Sequence, residues 1–144
     1  MTKEEYKDIY NMVGTAMEVY NTLGRCLSEA IYQEAFLIEA RQRGYEVERE
    51  KKLTLTYKGM PLEKCYFADF YYNGIIIEFK SQSELLAEHR AQLLNYLRIT
   101  HLHRGILFNF GEKNLHAERY LYIPESDEFV LLTHDNYKQY ITDQ

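Results

Sequence analysis

The residue pair Asn73-Gly74 stands between two alternating apolar runs and constrains the fold more than any other feature of the sequence. Asn-Gly in this setting is typical of a two-residue type I′ β-turn, because both central residues of that turn need a positive φ. The two runs therefore predict a β-hairpin in which Tyr72 faces Ile75. Counting outward from this pair places Asp69 directly opposite Glu78.

Two carboxylates that face each other in a hairpin need a partner. Directly opposed residues have Cβ atoms about 4.5–5.5 Å apart, and like charges at that separation destabilise the hairpin unless a cation lies between them. Lys80 follows Glu78 by two residues, so the strand period of two places its ammonium group on the same face. We expect a divalent cation on this face and the protein core on the other. The expected core face comprises Tyr66, Ala68, Phe70, Tyr72, Ile75, Ile77 and Phe79.

The alternative interpretation is an ordinary charged surface. Glu-x-Lys also occurs at Glu5-Tyr6-Lys7 and at Glu50-Lys51-Lys52, where solvated charge is the simpler account. Glu78 differs because it ends the apolar run Ile75-Ile76-Ile77, and charged side chains seldom end a buried strand without a function. The residue pattern alone leaves both interpretations open.

Length and composition predict one soluble, globular domain that spans residues 1–144. Hydrophobic residues make up 46% and charged residues 27% of the chain, which suffices for a proper core. Residues 1–5 are polar and acidic, unlike a signal peptide, and no apolar run has transmembrane length. A cytoplasmic location without membrane contact is therefore expected. Cys26 and Cys65 are too few and too far apart for a metal knuckle, so we expect free thiols.

The acidic balance limits how the protein can contact nucleic acid. The formal net charge is −5, the wrong sign for a protein that grips phosphate backbones through a broad basic surface. Any contact with nucleic acid must therefore be local. The chain has 14 tyrosines, which can stack on bases, although most are expected at the edge of the core.

Periodicity predicts helices and strands along the whole chain. Gly24 and Gly44 are expected to end the first two helices, and residues 81–83 to supply the N-cap of the third. A strand, that third helix and a further strand imply a right-handed crossover and a parallel strand pair. The predicted helices are 12–23, 28–43, 84–99 and a short one at 136–141; the predicted extended segments are 53–57, the hairpin 65–80, 105–110, 120–123 and 129–132.

The order helix, three strands, helix, strand, with paired acids on the central hairpin, resembles the catalytic core of the PD-(D/E)XK nuclease superfamily. The resemblance implies an α/β (α+β) fold with a restriction-endonuclease-like αβββαβ core, in which helices flank a mixed sheet. Asp69 and Glu78-Phe79-Lys80 match the two strand motifs that define the superfamily. Gln92 and Tyr96 match the Gln-x-x-x-Tyr element that RecB-like members carry on the next helix.

Within that superfamily the chain is similar to the small bacterial proteins of the GxxExxY family. Glu29 and Tyr32 occupy their places in the naming motif. Cys26 stands where the motif has glycine, Arg25 where proline is usual, and Phe67 where a polar or basic residue is common. The similarity covers approximately residues 9–123 and includes Leu23-Gly24, Leu27, Tyr66-Phe67-Ala68-Asp69-Phe70, Ala91-Gln92-Leu93-Leu94 and Gly105-Ile106-Leu107-Phe108-Asn109-Phe110-Gly111.

The resemblance implies a metal site at the hairpin. Asp69, Glu78 and the backbone carbonyl of Phe79 would hold Mg²⁺ or Mn²⁺, because hard divalent ions take oxygen ligands. Lys80 would orient or deprotonate the attacking water. Glu29 would add an acid from the second helix, as a direct or water-bridged ligand; its alternative interpretation is a solvated helix glutamate.

Gln92 and Tyr96 lie four residues apart and share one face of the third helix. The resemblance implies that Gln92 holds a metal-bound water or a phosphate oxygen and that Tyr96 contacts the substrate strand. Apart from the resemblance, a glutamine and a tyrosine on a helix are ordinary residues.

The leading hypothesis is a Mg²⁺- or Mn²⁺-dependent phosphodiesterase that acts on DNA. The rival hypothesis is a non-catalytic module that uses the same fold to bind a protein partner or a nucleic acid end, with a homodimer as a further option. A metal-dependent hydrolase of a smaller phosphate ester ranks third, because it leaves Gln92 and Tyr96 unexplained. The sequence leaves open endonuclease or exonuclease action, DNA or RNA, and single strand or duplex.

Overall fold

A computed structural model of the chain describes residues 1–142. Residues 143 and 144, the end of the predicted domain, lie outside the described residues. The helices are α1 (Lys3–Leu23), α2 (Glu29–Gln42) and α3 (Ala87–Thr100). The strands are β1 (Glu48–Tyr57), β2 (Met60–Tyr72), β3 (Ile75–Lys80), β4 (Arg104–Asn109), β5 (His116–Ile123) and β6 (Glu128–Leu132), and a 3₁₀ turn follows at Tyr137–Tyr140.

The described strands form one mixed sheet in the order β1-β2-β3-β4-β5-β6. Strands β3 and β4 are parallel neighbours, whereas the other neighbouring pairs are antiparallel. Helix α3 connects β3 to β4, which confirms the predicted crossover and the predicted mixed sheet flanked by helices. Within residues 1–142, no helix is long and apolar enough to cross a membrane.

Helices α1 and α2 cover one face of the sheet. Apolar residues of α1 recur three or four positions apart and are buried, which makes the helix amphipathic. Phe36 of α2 packs its ring against Phe70 of β2 and Phe79 of β3, with ring centroids 4.9 and 5.1 Å apart. This aromatic contact fixes α2 above the strands that carry the paired acids. The buried residues of α1 include Ile9, Met12, Ala16 and Val19.

Helix α3 covers the opposite face. Its buried residues Leu93, Tyr96 and Leu97 pack in one cluster with Ile76 of β3 and Leu107 of β4. Side chains on a strand alternate between the two faces of the sheet. Glu78, which follows Ile76 by two residues and pairs with Leu107, therefore lies on the α3 side. The paired acids therefore lie on the side of the sheet that α3 covers.

The predicted hairpin is confirmed over its first three pairs. Asn73 and Gly74 have φ of 46° and 86°, as a type I′ turn requires. The register pairs Tyr72 with Ile75, and the next two pairs follow the predicted count as far as Ile77. The fourth predicted pair, Asp69 with Glu78, is not part of this ladder, because β2 and β3 separate at that point.

The predicted core face of β2 is wrong for two of its residues. Phe70 packs on the α1 and α2 side, whereas Ala68 belongs to the cluster on the α3 side. The ring of Tyr66 likewise lies 5.3 Å from the ring of Tyr96 of α3. The change of side in β2 coincides with an irregular residue of β1, since Glu50, opposite this part of β2, has a φ of 54°. That left-handed residue interrupts the regular pleat of both strands.

The predicted N-cap of α3 is also wrong. The cap residue is Leu86 rather than one of residues 81–83, and the ring Nδ1 of His89 accepts a hydrogen bond from its backbone N–H at 3.0 Å. The hydroxyl of Ser81 instead donates to the backbone carbonyl of Leu27 at 2.6 Å. The serine is therefore used to hold the segment after β3 against the loop before α2.

Candidate metal centre

The two acids bridge the gap between β2 and β3 through backbone groups. The backbone N–H of Asp69 donates to Oε2 of Glu78 at 2.6 Å. The backbone N–H of Phe79 donates to Oδ2 of Asp69 at 2.8 Å. Where the two strands separate, each carboxylate thus accepts the hydrogen bond that a backbone carbonyl of the neighbouring strand accepts in a regular sheet. These two bonds fix both carboxylates in position.

The second oxygen of each carboxylate remains available. Within residues 1–142, Oδ1 of Asp69 and Oε1 of Glu78 accept no hydrogen bond, yet no buried side-chain oxygen there lacks a partner. These two oxygens therefore keep contact with solvent. The carbonyl of Phe79 leaves β3 on the same side as its N–H, toward the same gap. The carbonyl of Phe79 is thus directed toward the gap that the two carboxylates bridge.

The pKa values of both acids are raised, because burial outweighs the nearby positive charge. Glu78 is only 4% exposed, and burial, followed by the charge of Asp69, raises its pKa to about 8. Burial is likewise the main reason why the pKa of Asp69 is raised. Carboxylates with raised pKa values and free oxygens fit a divalent cation, because the ion favours the ionised form of both groups.

Glu29 lies near this pair but outside a common ligand group. It is the first residue of α2, after the N-cap Ser28, and its charge contributes to the raised pKa of both Asp69 and Glu78. The described residues contain no group of three or more His, Cys, Asp or Glu side chains able to hold one ion. The structure therefore places Glu29 within electrostatic range of the two acids but not in one ligand group with them.

Lys80 ends β3 with a half-buried side chain. Its charge lowers the pKa of Asp69 and of Glu78, and it follows Glu78 by two residues in β3, the spacing of one strand face. Its ammonium group forms no ion pair or hydrogen bond with residues 1–142. A lysine close to two acids but not bound to either one remains available for water or substrate.

Gln92 and Tyr96 interact with each other below the acids. Nε2 of Gln92 donates to the hydroxyl of Tyr96 at 3.0 Å. Tyr96 is only 5% exposed, and burial, with smaller contributions from the charges of Glu78 and Asp69, raises its pKa. Tyr96 is thus part of the core within electrostatic range of the acids, and Gln92 keeps Oε1 free of hydrogen bonds with residues 1–142.

Asn109 is a residue of the site that the sequence did not reveal. Its Oδ1 accepts from the backbone N–H of Gln82 at 2.9 Å and of Gly111 at 3.2 Å. Its Nδ2 donates to the carbonyl of Gln82 at 3.0 Å and to Oε2 of Glu112 at 2.7 Å. The two bonds to Gln82 hold the chain just after Lys80 against the end of β4, and the other two fix the loop after β4. An asparagine at the end of the apolar segment 105–108 was the available signal.

Tyr32 closes the loop between α1 and α2. The hydroxyl of Tyr32 donates to the carbonyl of Gly24 at 2.6 Å and accepts from the N–H of Leu27 at 3.0 Å. Between them, Cys26 has a φ of 68°, a left-handed conformation that favours glycine. Cys26 and Cys65 are both free thiols, as expected.

Tyr32→Phe is expected to destabilise the protein by about 1–2 kcal/mol, because it removes two hydrogen bonds from a buried hydroxyl. Thermal unfolding would measure the loss. Tyr10→Phe is the matched control, since the Tyr10 side chain is 71% exposed. An equal change in both variants would show that the Tyr32 hydroxyl does not hold the loop.

Comparison with known proteins identifies the class of this chain. The family model of the PD-(D/E)XK nuclease superfamily matches residues 6–120, and the protein therefore belongs to this superfamily. The observed sheet and helices agree with its restriction-endonuclease-like fold. Proteins of this superfamily are in general nucleases that use divalent metals such as Mg²⁺ or Mn²⁺. No curated protein and no solved structure matches the chain.

Proposed function

We propose that this protein is a Mg²⁺- or Mn²⁺-dependent nuclease that hydrolyses phosphodiester bonds in DNA. The observation that carries the proposal is the pair Asp69 and Glu78, whose carboxylates are held by backbone N–H groups and each keep one oxygen free of hydrogen bonds. Their raised pKa values indicate a position built for a cation rather than for two solvated charges.

The roles follow from the positions of the side chains. Asp69, Glu78 and the carbonyl of Phe79 would hold the ion, and Glu29 would contact it through water. When bound, the metal would polarise the scissile phosphate and favour ionisation of water. Lys80 would orient the attacking water or accept its proton.

Helix α3 would complete the site. Gln92 would accept a hydrogen bond from a metal-bound water through Oε1, since its Nε2 is engaged with Tyr96. Tyr96 would act mainly by holding Gln92, and its buried ring leaves the hydroxyl edge as the part nearest to substrate. Neither residue needs to move from its described position for these roles.

We also propose the narrower assignment to the bacterial GxxExxY group, with RecB-like features. The roles of Tyr32 and Cys26 in the loop before α2 support it, as does Gln92 next to Tyr96. A single domain over residues 1–144 and a cytoplasmic location are parts of the same proposal.

Lys80→Ala is expected to slow metal-dependent cleavage of DNA by about 10²-fold, the lower range for loss of a general acid or base. Calorimetric titration with Mn²⁺ should give an affinity close to that of the parent, because Lys80 is not a ligand. Lys138→Ala is the matched control, an exposed lysine in the 3₁₀ turn. Unchanged cleavage by Lys80→Ala would remove this lysine from the mechanism.

A second candidate function is a non-catalytic module that binds a protein partner or a nucleic acid end, as a monomer or a homodimer. The observation that favours it is the lack, among the described residues, of a third His, Cys, Asp or Glu side chain grouped with the two acids. Metal-dependent turnover of DNA by the purified protein, lost in Asp69→Ala, would exclude this function.

A further inference from the structure

A groove lies between α3 and the outer parts of β1 and β2. Its volume is about 1040 Å³, at the upper end of the range of about 300–1000 Å³ for small-molecule sites. The groove thus has room for an extended ligand. Its lining includes Leu62, Lys64 and Tyr66 from β2 and Gln92, Tyr96 and Arg98 from α3.

The groove adjoins the strand that carries Asp69. Gln92 and Tyr96 line the groove, and the ring of Tyr96 lies 5.3 Å from the ring of Tyr66, three residues before Asp69 in β2. The two acids do not themselves line the groove. A strand that lies in the groove would pass Tyr66 and Tyr96 on its way to the acids.

The walls of the groove suit an unpaired nucleotide strand. Tyr66 is 51% exposed, and its ring rests against the ring of Tyr96 at a centroid distance of 5.3 Å. Aromatic rings of this kind stack on bases whose faces are free. Lys64 beside it forms no ion pair with residues 1–142 and can meet a phosphate, whereas Arg98 is already paired with Asp127 at 3.1 Å.

The charge of the protein argues against a duplex in the same groove. A duplex hides the faces of its bases and is gripped mainly through its phosphates by several cations. The chain has a net charge of −5, and Lys64 is the one unpaired cation among the described residues that line the groove. Base stacking must therefore supply most of the affinity.

We propose that this groove binds unpaired nucleotides of a DNA strand next to the scissile phosphate, with Tyr66 as the base-stacking residue and Lys64 as a phosphate contact. The proposal rests on the proposed nuclease function and specifies its substrate as single-stranded DNA.

The test is fluorescence anisotropy with labelled oligothymidylate and with a duplex of the same length. Ca²⁺ replaces Mg²⁺, and intact DNA is verified after each titration. We expect the parent to bind the single strand more tightly than the duplex. Tyr66→Ala should weaken single-strand binding by about 5- to 150-fold, the effect of stacking on one base. Tyr66→Phe should restore it, because stacking needs the ring and not the hydroxyl.

Two further variants distinguish a specific loss of binding from a loss of folding. Tyr10→Ala removes an exposed tyrosine of α1, on the other face of the sheet, and should leave binding unchanged. Lys64→Gln alters an exposed side chain and removes one phosphate contact. It should reduce the slope of log affinity against log salt concentration by about one. Equal or tighter binding of the duplex, an unchanged Tyr66→Ala variant, or no DNA binding by the parent would each overturn the proposal.

A cleavage assay on the same variants distinguishes failure of the groove proposal from failure of the proposed nuclease function. Binding that depends on Tyr66, without any metal-dependent cleavage, would refute the nuclease and leave the groove assignment in place. Cleavage of duplex DNA that is insensitive to Tyr66→Ala would refute the groove assignment and leave the nuclease in place.

Discussion

Replacing Glu78 with glutamine is expected to abolish metal-dependent cleavage and, in the same variant, to stabilise the metal-free protein above neutral pH. Loss of a ligand should reduce cleavage by about 10³-fold or more, since a bound metal supplies several kcal/mol of transition-state stabilisation. Stability should rise because Glu78 is buried next to Asp69 without a compensating ion pair. Function and stability therefore change in opposite directions.

The sign of the stability change follows from proton linkage. The pKa of Glu78 is about 8 in the folded protein, against an ordinary value of 4.5. Between these two values the folded form keeps a proton that the unfolded form has released, so the stability of the parent falls as the pH rises through this range. Glutamine does not titrate, so the stability of Glu78→Gln lacks this pH dependence. The gain in the variant should be small near pH 5 and on the order of 3 kcal/mol near pH 9.

Thermal unfolding in EDTA at these two pH values measures the effect. A gain of this size corresponds to roughly 6–12 °C in Tm for a chain of this length. Mn²⁺ titration by calorimetry should show binding in the parent and none in Asp69→Asn/Glu78→Gln. A Glu78→Gln variant that keeps Mn²⁺ binding and cleavage, or that gains nothing at high pH, would contradict the description of the pair as a metal site.

The sequence predicted the elements that depend on local signals. Asn73-Gly74 specified the turn, and the first three hairpin pairs follow from it. Gly24 and Gly44 come at or directly after the ends of α1 and α2, as their positions indicated. These features rest on the conformational preferences of single residues, which are independent of the rest of the fold.

The geometry of the site depends on contacts between distant segments, which periodicity does not contain. The two strands separate at Asp69, where Glu50 of a third strand takes a left-handed conformation. Asn109 binds a segment 27 residues earlier in the chain. The sequence therefore identified Asp69 and Glu78 as a pair but missed the backbone bonds that hold their carboxylates.

A glutamate-to-glutamine substitution at Glu118 in β5 is expected to have the opposite effect on stability from Glu78→Gln in β3. Glu118 of β5 and Glu78 of β3 are both paired with Leu107 of β4, one on each side. Both glutamates are buried. Their surroundings differ, because Glu118 is enclosed by donors. Oε1 and Oε2 of Glu118 accept from Arg90 at 2.7 and 2.8 Å.

Two more groups bind the same carboxylate. The ring Nε2 of His116 lies 2.8 Å from Oε2 of Glu118, and the hydroxyl of Tyr120 donates to Oε1 at 2.6 Å. Burial acts to raise the pKa of Glu118, but the hydrogen bonds of Arg90, His116 and Tyr120 outweigh burial and lower the pKa to about 2. The ionised form of Glu118 is therefore the stabilised form.

Glu118→Gln is expected to destabilise the protein by about 3 kcal/mol near neutral pH, more than a hundredfold in the folding equilibrium. Glutamine removes the charge and turns an N–H₂ group toward the donors of Arg90. The value lies at the low end for a buried ion pair, because the Arg90 side chain is 38% exposed. The stabilisation by Glu118 is present above its ordinary pKa of 4.5 and is lost as the pH falls toward about 2.

Unfolding of the two glutamine variants at about pH 9 in EDTA provides a matched comparison, since the chemical change, the depth of burial and the strand neighbour are the same. We expect Tm to rise in Glu78→Gln and to fall by roughly 6–12 °C in Glu118→Gln. Below its melting temperature, Glu118→Gln should still bind Mn²⁺. Shifts of the same sign would mean that burial alone determines the response; opposite signs would show that Glu118 has its partners within the protein, whereas Glu78 needs a cation from solution.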